Sequence, residues 1–146
     1  MKRLCSIKET NKCAIELARE ISSVSVKNRA TVVALRGDLG SGKTAFTKAL
    51  AKELGITETV LSPTFVIMKC YRLHVTGYKF LFHIDAYRLD SASELRSIGW
   101  DDILTDPKNL VVIEWPEKVK GLLPKDTQEI KFRFIDDKTR EITFNK

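Results

Sequence analysis

The amino-acid sequence predicts a three-layer α/β fold, with a central mixed sheet and antiparallel strands toward its C-terminal end. Three observations carry this expectation. Strand-like and helical patterns alternate through most of the chain, the order expected of a sheet covered by helices on both faces. Thr31–Leu35 (TVVAL) is a short β-branched, apolar run, which suits a buried strand. Gln128–Ile135 alternates cleanly, with Ile130, Phe132 and Phe134 set against Lys131 and Arg133. Arg140–Phe144 continues that style, and Asp136–Thr139 reads as the turn between them.

The remaining elements follow in chain order. Thr10–Ser22 reads as a helix, because Ala14, Leu17, Ala18 and Ile21 recur on one face. Ser6 or Thr10 caps its start, since either hydroxyl accepts from a free backbone N–H. After TVVAL comes RGDLGSGKT, then a helical pattern through Leu54 with Phe46, Ala49, Leu50 and Leu54 sharing a face. Gly55 stops that helix. Val60–Phe65 is a loop in which Pro63 forces an extended backbone at Ser62. Val66–Leu73 and Tyr78–Ile84 form two strands joined through HVTG as a hairpin. In the second, Tyr78, Phe80, Phe82 and Ile84 point one way, and Lys79, Leu81, His83 and Asp85 the other. Ser91–Ile98 is a short helix whose Ser91 and Glu94 have capping-box spacing. Leu110–Ile113 is a buried strand ending in Glu114.

Composition sets bounds on function. The 146 residues fit a single domain, 1–146, able to bury one core. At 43% hydrophobic and 30% charged residues the chain is far from a disordered composition. No stretch approaches the ~20 apolar residues that cross a bilayer. The start, MKRLCSIKETNK, has no apolar segment of signal-peptide length, so a cytoplasmic protein with no membrane partner is the simplest expectation. Cys5, Cys13 and Cys70 form no CxxC pair and fit reduced thiols rather than a zinc site. The net charge of +6 and pI near 9.3 permit a polyanionic partner such as RNA. The basic residues are scattered, however, and a solvated surface or a bound nucleotide accounts for them as well.

The chemistry is concentrated between the first buried strand and the helix after it. Gly37-Asp38-Leu39-Gly40-Ser41-Gly42-Lys43-Thr44 fits G-x-x-x-x-G-K-[ST], the phosphate-cradling loop of P-loop NTPases. Glycines let the backbone curl and turn its N–H groups onto an anion. The following helix points the positive end of its dipole at the same place. Lys43 reaches the β- and γ-phosphates, and the Thr44 hydroxyl suits Mg²⁺, a hard cation that prefers oxygen. This predicts binding of a nucleoside triphosphate, with ATP as the expected ligand.

A phosphate loop hydrolyses nothing without a further acid near the metal and a group that orients water. Glu114 ends the apolar run LVVIE in the manner of a Walker B acid, or is an ordinary strand-end glutamate. Asp85 ends FLFHID; it shares the metal, acts as general base, or pairs with Arg88. His83 lies on the same strand face and is more often a packed histidine than a catalytic one. Ser62-Pro63-Thr64-Phe65 is either a plain turn or a mobile loop whose threonine senses the γ-phosphate or its metal. Trp115 stacks on a base or a partner, or belongs to the core; the sequence slightly favours the core.

Taken in order, GDLGSGKT, SPTF, FHIDAYRL, ELRSIGWDDIL and VIEWPEK resemble the TsaE (YjeE) family, from about Thr10 to Arg140. The resemblance implies a small ATPase of tRNA N6-threonylcarbamoyladenosine (t6A) formation, slow alone and acting with TsaB and TsaD. Its ATP hydrolysis would reset that complex, and tRNA would be met through the complex. It implies that Lys43 contacts phosphate, that Thr44 and Glu114 ligate Mg²⁺, and that Asp85 is the residue most needed for hydrolysis. Thr64 would belong to a switch-like loop, with Trp115 near nucleotide or partner and Thr10 near the adenine. Asp101 and Asp102 stand where the family commonly has glutamate, and Ser41 where it often has alanine. Two other readings stand beside this one. A small-molecule kinase would need an arginine-rich lid, but Arg72, Arg88 and Arg96 are isolated. A non-catalytic RNA-binding module would rest on charge alone.

Overall fold

The computed structural model describes residues 1–24, 27–74 and 77–145. Its elements are β1 (Lys2–Cys5), α1 (Ile7–Ser23), β2 (Thr31–Arg36), α2 (Lys43–Glu53), β3 (Met68–Arg72) and β4 (Phe80–Asp85). They continue with α3 (Ala92–Ser97), α4 (Trp100–Thr105), β5 (Asn109–Glu114), a 3-10 segment (Pro116–Leu122), β6 (Gln128–Phe134) and β7 (Arg140–Asn145). The strands form a seven-stranded mixed sheet in the order β1-β7-β6-β2-β5-β4-β3. At its centre β6, β2, β5 and β4 run parallel, while β3, β7 and β1 pair antiparallel at the two edges.

Each face of the sheet carries its own core. Helices α1 and α2 pack Ala14, Leu17, Phe46 and Leu50 on one face, against Val33, Leu35, Val112 and Ile130. On the other, α3, α4 and the 3-10 segment bring Leu95, Trp100, Ile103 and Val119 against Val32, Ala34, Ile84 and Ile113. This is the predicted three-layer α/β arrangement. All six residues of β5 are buried, because helices cover it on both faces. No described helix is long and apolar enough to cross a membrane. Cys5, Cys13 and Cys70 are free thiols, the first two buried and the third exposed.

Several boundaries differ from expectation. Helix α1 begins at Ile7 rather than Thr10. Ser6 is its cap: the Glu9 N–H donates to Ser6 Oγ, and the Ser6 N–H donates to the Glu9 carboxylate. Thr10 is thus a first-turn residue, and its hydroxyl donates to the Ser6 carbonyl oxygen. Strand β3 starts at Met68, not Val66, because the preceding residues fold into a turn, with the Val66 and Ile67 N–H groups donating to the Pro63 carbonyl oxygen. The HVTG connection includes Val75 and Thr76, which lie outside the described residues; β3 and β4 do pair antiparallel. Tyr78 precedes β4 and so escapes its alternation, packing with the α1–α2 core rather than with Ile84. Phe134 is half exposed under the Arg140 guanidinium instead of entering the core. Strand β1 and helix α4 were not predicted: four residues at an edge and six after a glycine give too little periodicity to read.

Candidate functional site

The C-terminal ends of the parallel strands meet at one place, where ligands of open α/β sheets bind. The loop Gly37–Thr44 leaves the end of β2 and enters α2. In the sheet register Leu35 lies opposite Glu114, and Glu114 lies opposite Asp85, so both acids stand beside the loop. Around them is a cavity of about 500 Å³. Of the residues singled out from sequence, Leu39, Gly40, Gly42, Lys43 and Thr44 line it from the loop. Asp85, Glu114 and Trp115 line it from the ends of β4 and β5. Thr10 lines it from α1, and Ser62 and Thr64 from the segment before β3. Gly37, Asp38 and Ser41 belong to the loop but not to the cavity wall.

The glycines are used for their missing side chains. Gly42 has φ +103° at the α2 N-cap, in the left-handed region. A Cβ on Gly37 would stand 2.5 Å from the Phe132 carbonyl oxygen, inside any allowed contact. Phe132 comes from β6, so the loop is pressed against the neighbouring strand. Ser41 is buried behind it, and its Oγ has no partner among the described residues.

Lys43 is almost fully buried and folds back on its own loop. Its ammonium donates to the carbonyl oxygens of Gly37 and Asp38, the latter at 2.9 Å, and lies 4.6 Å from the centroid of the Trp115 ring. Burial pushes the Lys43 pKa below the usual lysine value, while the nearby Glu114 and Asp85 carboxylates oppose that shift. The sequence slightly favours the core for Trp115. The residue does pack against the α3–α4 core, yet it also lines the cavity, with its ring 4.9 Å from that of Tyr87. Its backbone lies in the left-handed region, at φ +58°, which turns the chain out of β5 and swings the ring over Lys43.

Both acids are buried: Glu114 is 3% exposed and Asp85 5%. Glu114 Oε1 accepts from Thr44 Oγ1 at 3.1 Å and lies 3.0 Å from His83 Nε2. Asp85 accepts from Thr64 Oγ1 at 3.0 Å and from the Tyr87 N–H at 2.9 Å. Ser62 Oγ lies 2.7 Å from Thr64 Oγ1, so SPTF is tied to the end of β4 rather than free. Asp85 makes no ion pair with Arg88 among the described residues; the Arg88 guanidinium covers the Phe65 ring instead. A hydroxyl and a carboxylate oxygen thus converge beside the phosphate loop, and no described cluster offers three or more His, Cys, Asp or Glu ligands. That donor set fits Mg²⁺, which is usually held by one or two carboxylates plus substrate phosphates.

A family model described as threonylcarbamoyl adenosine biosynthesis protein TsaE matches residues 4–142. The chain belongs to the TsaE family. It is 41% identical over 113 residues to the tRNA threonylcarbamoyladenosine biosynthesis protein TsaE of Bacillus subtilis (strain 168), covering 77% of this chain and 68% of that one. The protein of the same description from Treponema pallidum (strain Nichols) is 42% identical over 113 residues, with 77% and 80% covered. Among solved structures, the crystal structure of Bacillus subtilis YdiB superposes with a TM-score of 0.74 at 31% identity, over 99% of this chain and 83% of that one. The P-loop NTPase fold of the TsaE family supports nucleotide binding and hydrolysis as a class.

Sequence reasoning missed part of the cavity wall. Tyr87 lies two residues beyond Asp85, where a short-range signal existed. Ile7 precedes the predicted helix start, and Asn11 lies within the predicted helix, where nothing local marks it as a site residue. Arg140 reaches the cavity from the start of β7, and nothing local marks it.

Proposed function

We propose that this protein is a cytoplasmic, Mg²⁺-dependent ATPase of tRNA t6A formation that works with TsaB and TsaD and resets their complex by hydrolysis. The observation that carries the reading is the convergence of Lys43, Thr44, Glu114 and Asp85 on one cavity at the end of the parallel strands. Family membership supplies the pathway. ATP would lay its phosphates along the loop 37–44, with Lys43 exchanging its backbone acceptors for phosphate oxygens. Thr44 and Glu114 would hold Mg²⁺, whose charge neutralises the phosphate oxygens during transfer. Asp85 would orient the attacking water by accepting its hydrogen. Thr64, bonded to Asp85, would report the state of the γ-phosphate to the loop 61–67. Trp115 and Thr10 would border the nucleotide, and tRNA would be met through the complex. A small-molecule kinase is not favoured, since membership of the TsaE family points elsewhere.

Three experiments test the reading. Asp85→Ala should bind ATP with wild-type affinity and lose about 10²–10⁴-fold in hydrolysis, the usual span for a general base. Hydrolysis at the wild-type rate would remove Asp85 from the chemistry. A pull-down with TsaB and TsaD should depend on ATP, and loss of the gene should lower t6A on tRNA. Normal t6A in the deletion strain would reject the pathway assignment.

A further inference from the structure

His83 is a buried polar side chain beside Glu114 that takes no part in the mechanism proposed above. It stands on β4 two residues before Asp85 and is 0% exposed. Its Nε2 lies 3.0 Å from Glu114 Oε1, the same oxygen that accepts from Thr44. An ionised carboxylate only accepts hydrogen bonds, so Nε2 carries the hydrogen. Nδ1 is buried and has no partner among the described residues. The ring therefore spends its polar contact on Glu114 alone.

We propose that His83 is a positioning residue: it donates from Nε2 to Oε1 of Glu114 and fixes that carboxylate in the orientation that holds Mg²⁺. The proposal rests on the reading of Glu114 as a metal ligand. The geometry explains why such a residue is needed. Glu114 is the last residue of β5, and past it the backbone turns sharply at Trp115. A long side chain at a strand end keeps several rotamers unless something fixes it. Thr44 comes from α2 and His83 from β4, so Oε1 is held from two elements. No described hydrogen bond engages Oε2, and Glu114 lines the cavity. Ligands held by a second partner in this way lose metal affinity when that partner is removed.

The test measures Mn²⁺ binding in the presence of ADP by electron paramagnetic resonance, so that no turnover is required. Four variants are compared with wild type: H83L, H83Q, H83N and E114Q. Glutamine places an amide N–H near the position of Nε2, whereas asparagine places it near Nδ1, out of reach of Glu114. We expect H83L and H83N to bind Mn²⁺ about 10-fold more weakly. H83Q should stay within about twofold of wild type, and metal-free ADP affinity should be unchanged in the three His83 variants. If H83L does not fold, the comparison of H83Q with H83N decides alone. Weakening in E114Q with wild-type binding in H83L or H83N overturns the role of His83 and leaves Glu114 as a ligand. Equal weakening in H83Q and H83N overturns it in favour of simple packing. Wild-type Mn²⁺ binding in E114Q overturns the reading of Glu114 itself, and this proposal with it.

Discussion

Two loops face each other across the cavity, and they are built in opposite ways. The loop Gly37–Thr44 is mostly backbone. It is anchored between a buried strand and a helix, it takes its shape from glycines, and its lysine is satisfied by its own carbonyl oxygens. The loop 61–67 is held by one side-chain bond to Asp85 and a few backbone bonds, and it carries strain. Ile67 is a β-branched residue at φ +68°, where such residues rarely sit. It is kept there because its carbonyl oxygen accepts from the Asp85 N–H while its own N–H donates to the Pro63 carbonyl oxygen. Phe65, at its tip, is 83% exposed, with the Arg88 guanidinium over its ring. The first loop is pre-organised for an anion. The second is poised: a few bonds to Asp85 oppose backbone strain of ~1–3 kcal/mol. A fixed cradle opposite a lightly held loop is consistent with the switch-like role proposed above for Thr64.

That contrast can be broken at the rigid side first. Lys43→Ala removes the ammonium proposed to contact phosphate and should weaken ATP binding on the order of 100-fold, read by calorimetry. Affinity within a few fold of wild type would mean that the loop backbone alone holds the nucleotide. Gly37→Ala comes next. The added Cβ meets the Phe132 carbonyl oxygen, a backbone atom that cannot swing aside. Urea denaturation should show a loss of about 2–3 kcal/mol, with ATP affinity falling as the loop shifts. A stability equal to wild type would show that the loop is not pressed against β6.

The other loop should respond more gently. Thr64→Val keeps shape and deletes the bond to Asp85, worth about 1 kcal/mol. Amide exchange across residues 61–66 of the free protein should then speed up about fivefold. Exchange at the wild-type rate would mean that packing, not this bond, holds the loop. The smallest effect is expected for Ile67→Gly. Glycine adopts φ +68° without strain, and the relief offsets the lost apolar contact. The melting temperature should move by less than about 4 °C. A fall as large as that of an ordinary core truncation would show that Ile67 stores no strain.

Much of this contrast could be read along the chain. G-x-x-x-x-G-K-[ST] specifies backbone donors, an ammonium and a hydroxyl within eight consecutive residues, and the flanking patterns supply strand and helix. The acid endings of LVVIE and FLFHID were legible for the same reason, since an apolar run ending in a carboxylate marks where a strand leaves the core. The strained backbone of Ile67 was not legible. Its side chain fits a strand, and only the turn at Pro63 and the bond from Asp85 impose a conformation that its own propensity opposes. Thr64 could be named as a switch-like residue, but not its partner. Asp85 is 21 residues away, and no local spacing pairs them.

The sequence by itself determined the phosphate loop, the helix behind it and the two acids at strand ends, because each depends on residues within about two turns or one strand length of each other. Tertiary structure alone decided who meets whom. Thr44 reaches Glu114 across 70 residues, and His83 reaches it across 31. Trp115 covers Lys43, and Arg140 enters the cavity wall from the start of β7. These contacts follow from the strand order β7-β6-β2-β5-β4 and its register. That order is set by how two cores close on opposite faces of one sheet, a property of the whole chain that no short segment encodes.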